Sequence, residues 1–166
     1  HFRGFESYWA IPSNEKTAIN GEWVKCPGKK MFEEIEKKLG KTAIIAEDLG
    51  IITPEVEDLR DGFNFPGMKI LQFAFNPHED NPYLPHNHIK NCVVYTGTHD
   101  NDTSLGWYNN LSHEEKTFIK EYLKIDSDEN ISWDLIQSAW SSVANLAICP
   151  LQDILSLDSS GRMNTP

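Results

Sequence analysis

The chain has 166 residues, 39% of them hydrophobic and 11% aromatic, and a net charge of −10 from 25 acidic and 15 basic side chains. That length suffices for one compact domain with its own core. The acidic balance speaks against a polyanionic partner such as nucleic acid, whose phosphates need clustered Lys and Arg, and no run approaches the roughly 20 apolar residues of a membrane span.

The stretch from His1 to Pro27 is aromatic and irregular, with Phe2, Phe5, Tyr8, Trp9 and Trp23 broken by Pro12 and Gly21, and it is expected to be a loop through residue 29. Phe32, Ile35 and Leu39 then recur at helical spacing, and Gly40 offers a C-terminal cap. Thr42 to Ala46 is an apolar run that predicts a first strand, ending in Glu47-Asp48-Leu49-Gly50. Thr53-Pro54 opens a short helix, with Thr53 as N-cap and Val56 and Leu59 facing inward.

Met68 to Phe73 predicts a second strand, and a loop rich in Pro, Asn and His follows from Asn76 to Asn91. Cys92 to Gly97 predicts a third strand, after which the chain turns polar at Thr98-His99-Asp100-Asn101-Asp102-Thr103. Ser112-His113-Glu114-Glu115 forms a capping box before a helix carrying Phe118, Ile119, Tyr122 and Leu123. Asp126 to Glu129 is a solvated turn, because it lacks the Gly and terminal Glu of an EF-hand loop. Ser132 is placed as the cap of a further helix, with Leu135, Ile136, Ala139, Trp140 and Val143 inward and Trp133 also in the core. Leu146 to Cys149 is the fourth strand. Strands alternating with helices argue an α/β fold with a parallel sheet. Four such units are half of an eight-unit barrel or equally a small open sheet, and spacing alone leaves both open.

Cys26, Cys92 and Cys149 are far apart and odd in number, which speaks against a disulfide framework and for a reducing, cytoplasmic setting. Function in parallel α/β folds gathers at the C-terminal ends of strands. Two predicted strands end in carboxylates, Glu47 and Asp100, which is the pairing that glycoside chemistry needs across one bond. Asp, Asn and Thr also favour the turns that follow strands, so the residues alone support both readings. His99 beside Asp100 raises a metal site, yet no HExxH spacing occurs, the His86-Asn87-His88 pair lies apart in the Pro-rich loop, and a strand-end His more often donates a hydrogen bond. The aromatics Trp9, Trp23, Tyr83 and Trp107 fall in predicted loops, where they serve either sugar stacking or local packing. No GxGxxG, Walker, GxSxG or catalytic Cys-His pattern occurs.

Several strings go further than residue type. His1-Phe2-Arg3-Gly4-Phe5-Glu6-Ser7-Tyr8-Trp9-Ala10-Ile11-Pro12 resembles the segment just after the nucleophile in the amylomaltases, the 4-α-glucanotransferases or disproportionating enzymes. Ile45-Ala46-Glu47-Asp48-Leu49-Gly50, Phe65-Pro66-Gly67-Met68-Lys69-Ile70-Leu71-Gln72-Phe73-Ala74-Phe75, Tyr95-Thr96-Gly97-Thr98-His99-Asp100-Asn101-Asp102-Thr103 and Arg162-Met163-Asn164-Thr165-Pro166 are similar to further segments of that family, in the same order.

The resemblance implies the C-terminal half of a (β/α)8 barrel of the α-amylase superfamily, filling residues 1–166, and retaining transfer of α-1,4-glucan segments between maltooligosaccharides. It implies that Glu47 is the general acid/base and that Asp100 grips the donor sugar. It also implies that His1, His99 and Asn164 contact substrate and that neither metal nor organic cofactor takes part. The family's nucleophile is an Asp that would stand before His1, so these residues by themselves are expected not to transfer glucan. Exposed half-barrel edges are expected to pair in a homodimer. The rival readings are an α-glucan hydrolase of the same superfamily, a non-catalytic carbohydrate-binding piece, and a metal-dependent barrel hydrolase.

Overall fold

The structure is a computed structural model that describes residues 1–78 and 81–166. The chain forms two compact units, His1–Met68 and Lys69–Pro166.

In the N-terminal unit a 3-10 turn (Phe2–Phe5) leads into strand β1 (Ser7–Ala10), which pairs antiparallel with β2 (Glu22–Lys25). The sequence suggested a loop here. The hairpin forms because Tyr8, Trp9, Trp23 and Val24 are strand-favouring residues, and the register sets Trp9 opposite Trp23. Their rings meet edge-on at 5.3 Å. Helix α1 (Gly28–Leu39) ends as predicted at Gly40, whose φ of 74° suits glycine. Helix α2 (Pro54–Gly62) begins after Thr53 with Pro54 in its first turn. Phe2, Phe32, Ala46, Val56 and Phe65 form the buried core. Phe32 stacks on Phe2 at 5.8 Å and meets Phe65 edge-on at 5.1 Å. Burying each such ring contributes about 1.5–3 kcal/mol.

The run Thr42 to Ala46 forms no strand, contrary to expectation. Its bond from Ala46 N to the Pro66 carbonyl is 2.9 Å long. Pro66 has no N–H to return, so the pairing stops there.

Strand β3 (Gly67–Ile70) carries the chain into the second unit. It is shorter than predicted, because Leu71–Phe73 closes into a 3-10 turn. The predicted loop 76–91 contains a further 3-10 turn at Pro85–Asn87, and its residues 79 and 80 lie outside the described residues. Strand β4 (Cys92–Tyr95) is followed by α3 (Ser104–Asn109), α4 (His113–Leu123), α5 (Ile131–Trp140), β5 (Leu146–Ile148) and α6 (Leu151–Ile154). The sheet order is β3-β4-β5, and β4 runs parallel to β5 with Val94 opposite Ala147.

The capping box at Ser112 and Glu115 is present on both sides. Helix α5 is capped at Asn130, not Ser132, and Ser132 lies buried in its first turn. Trp133 and Trp140 are not core residues. They are 43% and 58% exposed and touch each other edge-on, while Leu135, Ile136 and Ala139 supply the buried face. Val143 is likewise exposed, beyond the helix end. Leu71, Phe75, Val94, Tyr108, Ile119 and Leu135 centre this unit's core.

Candidate active site

Glu47 follows the buried Ala46 and is held by its backbone on both sides. Phe2 N donates to the Glu47 carbonyl at 2.8 Å, one residue after the bond from Ala46 N to Pro66. The Glu47 side chain is about a third exposed, and its Oε1 lies 2.9 Å from Nδ1 of His1.

The neighbouring acid is committed elsewhere. Asp48 is buried, takes Arg60 Nη1 at 2.5 Å, and accepts Met68 N at 2.7 Å. Burial works to lower the Arg60 pKa, but the hydrogen bonds and charges of Asp61 and Asp48 more than reverse this and hold the guanidinium charged. Gly67 is required at this contact, because a Cβ there would strike the Asp48 carboxylate. Two charge-assisted bonds and that close approach fix the segment on which Glu47 stands.

In the C-terminal unit, β4 delivers the polar segment 97–103, and each of its flanks is tied down. Asn101 Oδ1 accepts from Thr98 N at 2.9 Å and from Thr98 Oγ1 at 2.8 Å. The Asp102 carbonyl accepts from Gln72 Nε2 at 2.8 Å, and its carboxylate accepts from Thr103 N and Ser159 Oγ. Thr103 caps α3 through Gly106 N at 3.0 Å. Asp153, 1% exposed, joins both ends of the segment: it accepts Thr96 Oγ1 at 2.5 Å, Ser104 N at 2.7 Å and Ser104 Oγ at 2.9 Å.

What this frame presents is Asp100, whose side chain is 52% exposed. Its Oδ1 accepts from Asn164 Nδ2 at 2.7 Å and lies 3.4 Å from His99 Nε2, while Arg162 Nη2 donates to its carbonyl at 3.1 Å. Within this unit the structure therefore gathers His99, Asp100 and Asn164, three residues selected from the sequence. Within the first unit it gathers His1 and Glu47.

Asp153, Arg60, Gln72 and Arg162 escaped the sequence reading. For Asp153 a signal was available, an acid between apolar residues in Leu151-Gln152-Asp153-Ile154-Leu155.

Carboxylates with free, solvent-facing oxygens can exchange protons or accept bonds from sugar hydroxyls. Among the described residues no group of three or more His, Cys, Asp or Glu is arranged to hold a metal. Of the remaining histidines, His88 is buried, and burial pushes its pKa down while its Nε2 meets the Tyr83 carbonyl at 2.8 Å. Trp107 belongs to α3, Trp9 and Trp23 to the hairpin, and Tyr83 packs edge-on against Phe73 at 5.6 Å. A cavity of about 470 Å³ in the first unit is lined by Phe5, Cys26, Lys29, Leu59 and Phe63 and does not include Glu47, so it is set apart from the candidate chemistry.

Residues 1–166 match the family Glyco_hydro_77, described as 4-alpha-glucanotransferase. A 4-alpha-glucanotransferase of Synechocystis sp. is 58% identical over 168 residues, covering 100% of this chain and 33% of the relative. One of Thermus thermophilus is 52% identical over 173 residues, covering 100% of this chain and 35% of the relative. The amylomaltase of Streptococcus agalactiae, solved in complex with acarbose, superposes with a TM-score of 0.95 at 38% identity, over 100% of this chain and 34% of that one. The chain spans about a third of the length of the curated relatives it matches. With a match along its full length, the chain belongs to glycoside hydrolase family 77, the 4-alpha-glucanotransferases.

Proposed function

We propose that the protein to which these residues belong is a retaining 4-alpha-glucanotransferase that moves α-1,4-glucan segments between maltooligosaccharides. In this reading β3, β4 and β5 with their helices form part of a (β/α)8 barrel.

The reaction is double displacement. Glu47, protonated, donates to the leaving glycosidic oxygen as a nucleophilic carboxylate attacks the anomeric carbon. The glycosyl-enzyme then forms, and Glu47 removes the proton of the acceptor hydroxyl that displaces the enzyme. Asp100 grips the donor sugar, with Asn164 and His99 setting its carboxylate and offering further contacts to sugar hydroxyls. In the family the nucleophile precedes the position of His1, outside these 166 residues. Neither a metal nor an organic cofactor enters the scheme.

One observation carries this reading. In each acidic pair one carboxylate is spent on the fold, Asp48 on Arg60 and Asp102 on Ser159, while Glu47 and Asp100 keep exposed oxygens. The test uses the full-length protein with maltotriose. Glu47→Gln and Asp100→Asn should each abolish the appearance of longer oligosaccharides, and a fully active Glu47→Gln would refute the assignment. Comparing products with and without added glucose separates transfer from hydrolysis. We place the protein in a reducing, cytoplasmic compartment on its free cysteines. No helix among the described residues is long and apolar enough to cross a membrane.

A further inference from the structure

We propose that His1 is a positioning residue for Glu47, in addition to or in place of the sugar contact that the sequence suggests. This rests on the reading of Glu47 as the proton-transferring acid. Two consecutive residues converge on that one glutamate: Phe2 N holds its carbonyl at 2.8 Å, and His1 Nδ1 holds its Oε1 at 2.9 Å. The first bond fixes where the Glu47 backbone sits. The second restrains the rotation of its carboxyl group.

Two arginines of the first unit have other partners. Arg3 donates to the Ile51 carbonyl at 2.6 Å and stacks on Trp23 at 3.9 Å. Arg60 serves Asp48 and Asp61. Among the described residues His1 is the side chain paired with Glu47.

A neutral ring with its hydrogen on Nδ1 donates to the carboxylate and orients it. His1 thereby sets the orientation of the Glu47 carboxyl group, to which proton transfer is sensitive.

The test is made in the full-length protein with maltotriose as substrate. His1→Ala should lower kcat by about 10- to 100-fold, the size expected for a misplaced catalytic group. KM should change little. His1→Asn sets an amide N–H near the place of Nδ1 and should restore much of kcat. His1→Gln, whose amide reaches the place of Nε2, should not. Equal activity in all three variants, or equal loss in all three, overturns the proposal, since neither pattern tracks a donor at Nδ1. Glu47→Gln separates the two readings. If it is inactive while His1→Ala matches wild type, only the positioning role fails. If it is fully active, the acid assignment fails first.

Discussion

Replacing Asp153 with Ala would test the frame that presents Asp100. The carboxylate accepts three hydrogen bonds at 2.5–2.9 Å and is 1% exposed, with donors on both sides of the 97–103 segment. Each buried donor left unpaired costs about 1–3 kcal/mol. The hydroxyls of Thr96 and Ser104 can turn towards other acceptors, but Ser104 N is fixed at the start of α3 and cannot. Allowing for that relief, Asp153→Ala should lose about 3–5 kcal/mol, in line with breaking a buried polar network. Asp153→Asn keeps an oxygen for Ser104 N and offers an amide to the two hydroxyls. It gives up the extra strength of bonds to a charged acceptor, and should lose about 1–2 kcal/mol.

Urea unfolding followed by far-ultraviolet circular dichroism measures both, with the midpoint moving and the slope unchanged. A chemical signature accompanies it. The Cys149 thiol pKa is pushed up by burial first and then by the Asp153 charge, so Asp153→Asn should speed alkylation of Cys149. If Asp153→Ala stayed within about 1 kcal/mol of wild type, the three bonds would be incidental to stability, and the idea that they hold the Asp100 segment would fall.

Arg60→Met leaves the Asp48 carboxylate buried beside the Met68 amide without its cation, and should cost about 3–5 kcal/mol in urea unfolding. A loss confined to the surface partner Asp61 would be below about 1 kcal/mol. His88 is buried and its pKa depressed, so protons bind the unfolded chain more readily. Stability is then complete above the ordinary imidazole value of 6.5 and falls as pH drops below it, and His88→Gln should flatten that part of a stability–pH curve. Hydrogen bonds from the Ser112 side chain and then its backbone pull the Glu115 pKa down from 4.5. The cap contribution is therefore present above pH 4.5 and lost as pH falls below it, and thermal melts of Glu115→Ala should show no such step. At neutral pH Ser112→Ala should cost about 0.5–2 kcal/mol.

Local signals made much of the fold legible. Helical spacing and Gly40 marked α1, Thr53-Pro54 marked α2, and the box at Ser112 marked α4, because caps and periodicity act over a few residues. The misses needed partners that sequence does not display. The hairpin pairs residues 7–10 with 22–25 across a long Pro- and Gly-containing connection, so neither half announces the other. The run Thr42 to Ala46 has strand composition, but Pro66 opposite Ala46 cannot complete a ladder. Trp133 and Trp140 share a helix face, and periodicity alone assigned that face to the core. In the structure the buried face is the one carrying Leu135, Ile136 and Ala139. Helix α3 was hidden because its cap, Thr103, ends the polar string taken as site chemistry.

The acids show the same division at the scale of the site. The sequence offers Glu47-Asp48 and Asp100-Asn101-Asp102 as dense clusters of carboxylates, and residue type does not say which member is free to react. Burial and partners do. Asp48 faces Arg60 and the Met68 amide, and Asp102 faces Ser159 and its own following amide, so both are consumed in holding backbone. Asp153, from a helix 50 residues further on, completes the second frame. A flexible carboxylate pays its ordering entropy when substrate binds, whereas one carried on a pinned segment has lost most of that freedom already. On the proposed reading, the structural acids are therefore part of what prepares Glu47 and Asp100 for transfer chemistry. Mutating Asp48 or Asp153 should weaken the function of a neighbouring acid that keeps its own side chain intact.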